Sequence, residues 1–184
     1  MPTRHTIPAQ AIVVAIAAMI LSPAAWGQFA TTGTATVNLT IAAEAAITVG
    51  TPTTTLSSVG TEFSNYTGTT NFTYKIRTTQ AGGTGTITLR ITTDFSPAGG
   101  PSVATPPTAG DTLKYTCSVA APATQCTGSV TASTAAATSV ATFGTDAHSA
   151  LAGTSGSVGW TLTNDPKYKT GTFSATGTFT ITAL

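Results

Sequence analysis

Alternation of apolar and polar side chains with a period of two is the feature that most constrains this chain. Successive side chains of a β-strand point to opposite faces of a sheet, so such runs predict half-buried strands. Threonine, whose branched Cβ favours strands, makes up about a quarter of the sequence, and glycine and proline punctuate the runs. These features predict an all-β chain. Apolar residues alternate with polar ones within residues 37–41, 72–76, 87–91, 113–119, 158–162 and 173–181.

The N-terminal segment follows a different pattern. A basic start is followed by an unbroken apolar run at residues 11–21, which as a helix would reach about 16 Å, half of a bilayer's hydrocarbon core. Small residues, Ala25 and Gly27, then lie at the −3 and −1 positions of a cleavage site. We predict a secretory signal peptide at residues 1–27 and a single domain at residues 28–184, with no membrane span after cleavage.

Two alternatives for this segment stay open: a cut after Ala30, and a buried N-terminal helix. Export would place Cys117 and Cys126 in an oxidising compartment, where we expect them to form a disulfide. Their spacing is not C-x-x-C and no basic residue adjoins them, so the expected role is structural, tethering a hairpin or the base of its loop.

The charge of the chain excludes several classes of function. The chain has seven Lys and Arg residues and six Asp and Glu residues, so its net charge is close to zero, and only 7% of its residues are charged. Nucleic-acid binding depends on phosphate neutralisation, so we predict no nucleic-acid partner. His148 has Asp146 and Ser149 beside it only as neighbours in the sequence, which is not the geometry of a catalytic triad.

The acidic residues are scattered singly, without a metal-binding or catalytic motif, at Glu44, Glu62, Asp94, Asp111, Asp146 and Asp165. The two cysteines and one histidine of the predicted mature chain are too few for a zinc site of these ligands alone. We therefore predict a non-enzymatic protein with no catalytic, metal-binding or cofactor-binding residues. A secreted hydrolase in which two of the acids meet in space stays open.

The strand runs also predict an architecture. Phe72 to Ile76 and Ile87 to Ile91, with the turn residues 81–85 between them, predict a hairpin. Proline and glycine in residues 96–110 predict an exposed connection. Seven or eight short strands predict an immunoglobulin-like antiparallel β-sandwich with Greek-key connections, with a closed barrel as the alternative.

The two ends of the predicted domain carry the functional information. Near the start, Val37, Leu39 and Ile41 share one face of a predicted strand. The chain ends in an alternating strand without a polar tail. An apolar edge strand of this kind favours pairing with another chain unless something covers it. Its residues of interest are Gly171, Phe173, Phe179 and Ile181.

These ends resemble those of pilin subunits of the bacterial chaperone–usher pathway, including the spore-coat-U-like subunits. Gly171 matches a glycine that such pilins keep fourteen places from the C-terminus, and the alternating residues after it match their last strand; the penultimate position, a tyrosine there, is Ala183 here. The resemblance implies an immunoglobulin-like sandwich that lacks one strand, which the N-terminal extension of the next subunit supplies. It also implies assembly with identical or related subunits, a periplasmic chaperone, and passage through the periplasm to the cell surface.

Two hypotheses about function follow. The first is a secreted structural subunit of a surface fibre or pilus, assembled by donation of the strand that contains Val37, Leu39 and Ile41. The alternative is a self-complete secreted β-sandwich that serves in adhesion or carbohydrate binding, with Tyr66, Tyr168 and Trp160 as candidate aromatic contacts, although the alternation around Trp160 predicts a core position.

Overall fold

The computed structural model describes residues 32–184, and this part of the chain is all-β. The predicted signal peptide at residues 1–27 lies outside the described residues. No helix in residues 32–184 is long and apolar enough to cross a membrane. The strands of the described part are β1 (Glu44–Val49), β2 (Ser57–Ser58), β3 (Tyr66–Arg77), β4 (Gly85–Ser96), β5 (Lys114–Val119), β6 (Thr124–Gln125), β7 (Val130–Thr131), β8 (Thr138–Phe143), β9 (Thr154–Leu162) and β10 (Ser174–Ala183).

The strands form two antiparallel sheets within residues 40–184. In the first sheet the order is β1-β3-β9-β5-β7, with β2 paired to the start of β3. In the second the order is β10-β4-β8-β6. The prediction of an all-β fold is confirmed, and the two antiparallel sheets agree with a β-sandwich.

The core lies where the inward faces of the two sheets meet. Along β3 and β4 every second side chain is buried, as the alternation predicts. Tyr74, Ile87 and Leu89 are fully buried, and the Tyr74 ring packs on Phe143 with 5.3 Å between centroids. The prediction that Trp160 is a core residue is also correct, because its side chain is 9% exposed.

The predicted hairpin between residues 72–76 and 87–91 is wrong in its pairing, although both strands are present. β3 lies in the first sheet and β4 in the second, so the chain crosses between the sheets at residues 78–84. This connection bonds to distant parts of the chain: the Thr78 hydroxyl donates to Gly144 O at 2.8 Å, and the amides of Thr79 and Thr84 both donate to Leu184 O. Inward-facing side chains of β3 and β4 therefore pack across the core rather than side by side in one sheet.

The predicted disulfide between Cys117 and Cys126 is present, with 5.6 Å between the Cα atoms. It does not tether a hairpin, because Cys117 belongs to β5 in the first sheet and Cys126 directly follows β6 in the second. Cys126 N also donates to Val140 O of β8 at 2.9 Å. The disulfide therefore links the two sheets at one side of the domain.

The segment with Val37, Leu39 and Ile41 is not a strand in this structure. Residues 32–43 have no regular secondary structure, and the three side chains are 90%, 80% and 61% exposed. The first strand begins only at Glu44. The sequence prediction of a half-buried strand here is wrong for the single chain, because an alternating run forms a strand only where a neighbouring strand accepts its hydrogen bonds.

Candidate functional site: a groove beside the edge strand β10

The last strand is an edge strand with one partner. β10 pairs with β4 from Ser174 to Ala183, and no other strand in residues 32–184 pairs with it. The predicted C-terminal strand is therefore present, but it begins only at Ser174, so Gly171 and Phe173, predicted as part of it, lie in the connection before it. Its inward side chains, which include Phe179 and Ile181, are only half-buried, whereas those of the neighbouring β4 are buried. The strand thus offers both backbone hydrogen-bonding groups and incompletely covered apolar side chains.

A cavity of about 1040 Å³ borders the first half of β10. Its apolar floor includes Ile91, Leu113 and Leu162, which are core residues, and Phe179 contributes from β10. One wall is the segment after β1, residues 51–56, and another is the connection between β9 and β10, residues 163–173. The core side chains of this floor are almost fully covered, whereas Phe179 on β10 is half-buried, and we call this cavity the β10 groove.

The predicted C-terminal site residues take different places around the β10 groove. Gly171, Phe173 and Phe179 all line it. The Phe173 ring lies against Gly100, where any side chain would overlap it, and the Phe179 ring packs on Phe72 with 5.4 Å between centroids. Ile181 instead packs against the core and does not line the groove.

The three aromatic residues of the alternative hypothesis also meet here. Tyr66, Trp160 and Tyr168 line the β10 groove, although they come from β3, β9 and the β9–β10 connection. The indole nitrogen of Trp160 donates to the Thr70 hydroxyl at 2.8 Å, and the Thr70 hydroxyl in turn hydrogen-bonds with Thr54. The groove therefore combines an aromatic lining with a short chain of polar groups.

Two of the scattered acids come together at one end of this region. Asp111, before β5, is 6% exposed and lies beside Asp165, which follows β9. Asp165 accepts hydrogen bonds from the Thr108 hydroxyl and, at 2.8 Å, from Lys167 N. The sequence allowed two of the acids to meet in space but did not identify which two, because nothing in the spacing of Asp111 and Asp165 connects them.

Asp94, near the end of β4, organises a third wall of the groove, the connection between β4 and β5, which contributes Pro101 to the lining. Its carboxylate accepts hydrogen bonds from Val103 N at 2.7 Å, the Ser102 hydroxyl at 2.7 Å, Phe95 N at 2.8 Å and Ala104 N at 3.1 Å. Burial alone would raise the pKa of Asp94, but these four donors together hold it below its ordinary value. The predicted connection at residues 96–110 is thus irregular as expected, yet Gly100 and Pro101 within it are buried.

The sequence neighbours of His148 do not form a triad. His148 Nε2 lies 3.5 Å from Asp146 Oδ1 at an exposed position. The Ser149 hydroxyl points elsewhere, accepting a hydrogen bond from Ile76 N at 2.8 Å. Among residues 32–184, no three His, Cys, Asp or Glu side chains are grouped so that they could hold a metal ion.

The β10 groove is therefore the candidate functional site, defined by an edge strand, an apolar lining and an acidic pair beside it. Comparison of the chain with protein-family models, with curated proteins and with solved structures finds no match.

Proposed function

We propose that this protein is an exported, non-enzymatic structural subunit of a cell-surface fibre or pilus, and that its subunits join by strand donation. In this proposal the fold is an immunoglobulin-like Greek-key sandwich that lacks one strand beside β10, and a periplasmic chaperone covers the gap before assembly. The observation that carries the proposal is the unpaired edge of β10 bordering an accessible apolar groove.

The N-terminal segment has the dimensions of the missing strand. Val37, Leu39 and Ile41 are exposed and alternate with polar residues, so an extended segment presents them about 6.6 Å apart on one face. Together they cover about 13 Å, and the groove-lining half of β10, residues 174–179, extends about 17 Å. The Val37–Ile41 segment of one subunit therefore fits along the β10 groove of the next.

The chemistry of the two surfaces is complementary. The donor side chains are aliphatic, and the groove floor is formed by aliphatic and aromatic residues. Burying each donor side chain contributes about 1.5 to 3 kcal/mol before the cost of ordering the segment. The donor segment Val37–Ile41 contains no charged residue, so its insertion desolvates no donor charge. Backbone hydrogen bonds to β10 would supply the direction and register.

The Leu39→Asp substitution tests the donor role. We expect the exported chain with Leu39→Asp to stay soluble but to form no fibres, because a carboxylate cannot enter the apolar groove without losing its hydration. Leu151→Asp is the matched control, since Leu151 is 92% exposed and lies outside both surfaces. Electron microscopy and light scattering measure the outcome. Unchanged fibres from the Leu39→Asp chain would contradict the proposal.

A synthetic peptide with the sequence of residues 31–42 tests the acceptor role. If the groove takes this strand, the peptide should raise the midpoint of thermal unfolding, by an amount equivalent to about 2.7 kcal/mol at one hundred times its dissociation constant. The same peptide with Asp at the position of Leu39 is the control. A chain that is a monodisperse, cooperatively unfolding monomer and ignores the peptide would favour the alternative function.

That alternative is a self-complete adhesion or carbohydrate-binding module. It is favoured by one specific observation, the presence of Tyr66, Trp160 and Tyr168 on the lining of one groove, because aromatic side chains present flat apolar faces with polar edges. Glycan binding should then fall on Tyr66→Ala and on Tyr168→Ala. Binding that survives both substitutions would remove the groove as the glycan site.

A further inference from the structure

The acidic pair at the end of the groove contains a polar group that its surroundings do not satisfy. Asp111 Oδ2 is buried without a hydrogen-bond partner. The Tyr168 hydroxyl beside it is also buried without a hydrogen-bond partner. Asp165, in contrast, has a donor on each carboxylate oxygen. Burying an ionised carboxylate next to another one destabilises the folded state in two ways: the carboxylate loses its hydration, and the two negative charges repel each other.

A single proton on the pair removes both the charge that lacks hydration and the repulsion between the two carboxylates. If Asp111 carries it, the acid donates a hydrogen bond to the ionised Asp165, and the pair bears a single negative charge. Hydrogen bonds from Thr108 and Lys167 N lower the pKa of Asp165, whereas burial first and the neighbouring Asp165 second raise the pKa of Asp111. The remaining groups that face the pair are Lys167 and Tyr168, and the phenol of Tyr168, itself near Tyr66, has its pKa raised to about 12 by burial and by the two carboxylates.

The pair also joins two separate connections. Asp111 ends the β4–β5 connection and Asp165 begins the β9–β10 connection, which forms a wall of the β10 groove. Three other contacts join these connections: the Thr108 hydroxyl donates to Asp165, Lys169 N donates to Gly99 O at 2.9 Å, and the Phe173 ring lies on Gly100. Loss of the shared proton would therefore place two negative charges between the two connections and oppose these contacts.

We propose that Asp111 and Asp165 share one proton and form a pH-sensitive clasp, which holds the β9–β10 connection against the β4–β5 connection and loosens this wall of the groove when the proton is lost. The inference concerns contacts within the domain and does not depend on what the groove binds. Opening releases the proton from Asp111. The opening equilibrium should therefore increase about tenfold per pH unit between the ordinary Asp pKa near 3.9 and the raised pKa of the closed state.

Amide hydrogen exchange of residues 164–172 in the exported chain tests the clasp, using protection factors because intrinsic exchange also accelerates with pH. We expect wild-type protection in this segment to fall as the pH rises from acidic to neutral. In Asp111→Asn the amide donates to Asp165 at every pH, so protection should stay high and independent of pH. Glu62→Gln, which changes an exposed carboxylate, should behave as wild type.

Two further measurements keep the result decisive. Asp165→Asn removes the repulsion between two carboxylates but leaves Asp111 buried, so it should weaken the pH dependence without abolishing it, and it replaces Asp111→Asn if that chain fails to fold. Protection is measured with EDTA and again with calcium ion. A pH dependence that persists in Asp111→Asn, or that is undiminished in Asp165→Asn, would overturn the clasp. So would protection at neutral pH that calcium restores in wild type and not in Asp111→Asn, because the pair would then be a cation site.

Discussion

The two lateral sides of the domain are completed in different ways. On the side of β5 and β6, the Cys117–Cys126 disulfide joins the sheets, and Val119 N donates to the side chain of Gln125 at 3.1 Å. On the side of β10, no covalent bond joins the sheets within the described residues, and the inward side chains of β10 beside the groove are only half-buried. The chain therefore closes one side with its own covalent bond and leaves an unpaired strand edge on the other.

Burial follows the same division. Ile87 on β4 and Ile181 on β10 are paired residues in the sheet, yet Ile87 is fully buried and Ile181 is half-buried. Ile87 has strands on both sides, because β4 pairs with β8 as well as with β10. The difference between these two isoleucines comes from the second neighbouring strand and not from their own position in the alternation.

Replacing each of these isoleucines with alanine should give the largest effect and the most direct test of the comparison. Ile87→Ala removes a fully enclosed side chain, so we expect a loss of about 4 kcal/mol in the free energy of unfolding. Ile181→Ala should cost about half as much, because its side chain is already partly in water. Denaturant unfolding of the two variants measures both values. Equal losses would mean that the side of β10 is as closed as the centre.

Removing the disulfide should have the next largest effect. We expect the double variant Cys117→Ala/Cys126→Ala to lose about 2 to 3 kcal/mol, because the unfolded chain regains the freedom of the short loop that the disulfide closes. The wild-type chain unfolded under reducing conditions is the matched control and should agree with the variant. A variant as stable as the oxidised wild type would show that the side of β5 and β6 is held by non-covalent packing alone.

Much of the fold was predictable from the sequence, and the part that was not has a physical reason. The alternation identified the strands around Phe72, Ile87 and Val158 and assigned their buried faces correctly. The alternation could not assign the strands to sheets. A period of two shows which side chains face inward, but it does not show which strands pair with each other. The connection after β3 is fixed by Gly144 and Leu184, far away in the sequence, and these contacts make residues 78–84 a crossing between sheets rather than a hairpin turn.

The candidate site was predictable only in part. The apolar alternation of the last strand indicated β10 as an exposed edge, and Phe173 and Phe179 do line the groove. The acidic pair was not predicted, because Asp111 and Asp165 follow different strands and meet only through the folding of two irregular connections. The alternation equally could not show which strand would accept Val37, Leu39 and Ile41 under the proposed function, because it carries no information about a second chain.

The β4–β5 connection allows a sharper test of how the groove wall is built. Asp94→Asn replaces one carboxylate oxygen, which accepts hydrogen bonds, with an NH₂ group, which cannot accept them from the N–H and O–H donors around it. We therefore expect the free energy of unfolding to fall by about 2 kcal/mol at neutral pH. The pKa of Asp94 is lowered in the folded state, so its contribution is present above the ordinary Asp pKa and disappears as the pH falls through the lowered value. The loss should therefore shrink in acid. Unfolding free energies at neutral and acidic pH measure this, and a loss independent of pH would contradict the role of the carboxylate.

The smallest expected effect concerns the outer face of the β4–β10 pair, where threonine hydroxyls meet across the strands. Thr86 Oγ1 and Thr182 Oγ1 are 3.0 Å apart at an exposed position. Thr182→Val keeps the branched Cβ and removes only the hydroxyl, so we expect a loss of about 0.3 kcal/mol, since water replaces the lost partner. Thr145→Val, at an exposed turn position outside the strands, is the control. A loss as large as that of Ile181→Ala would mean that hydroxyl pairs, and not the inward apolar side chains, hold β10 in place. A small loss would mean that the stability of β10 depends on its inner face, which is the face that borders the groove.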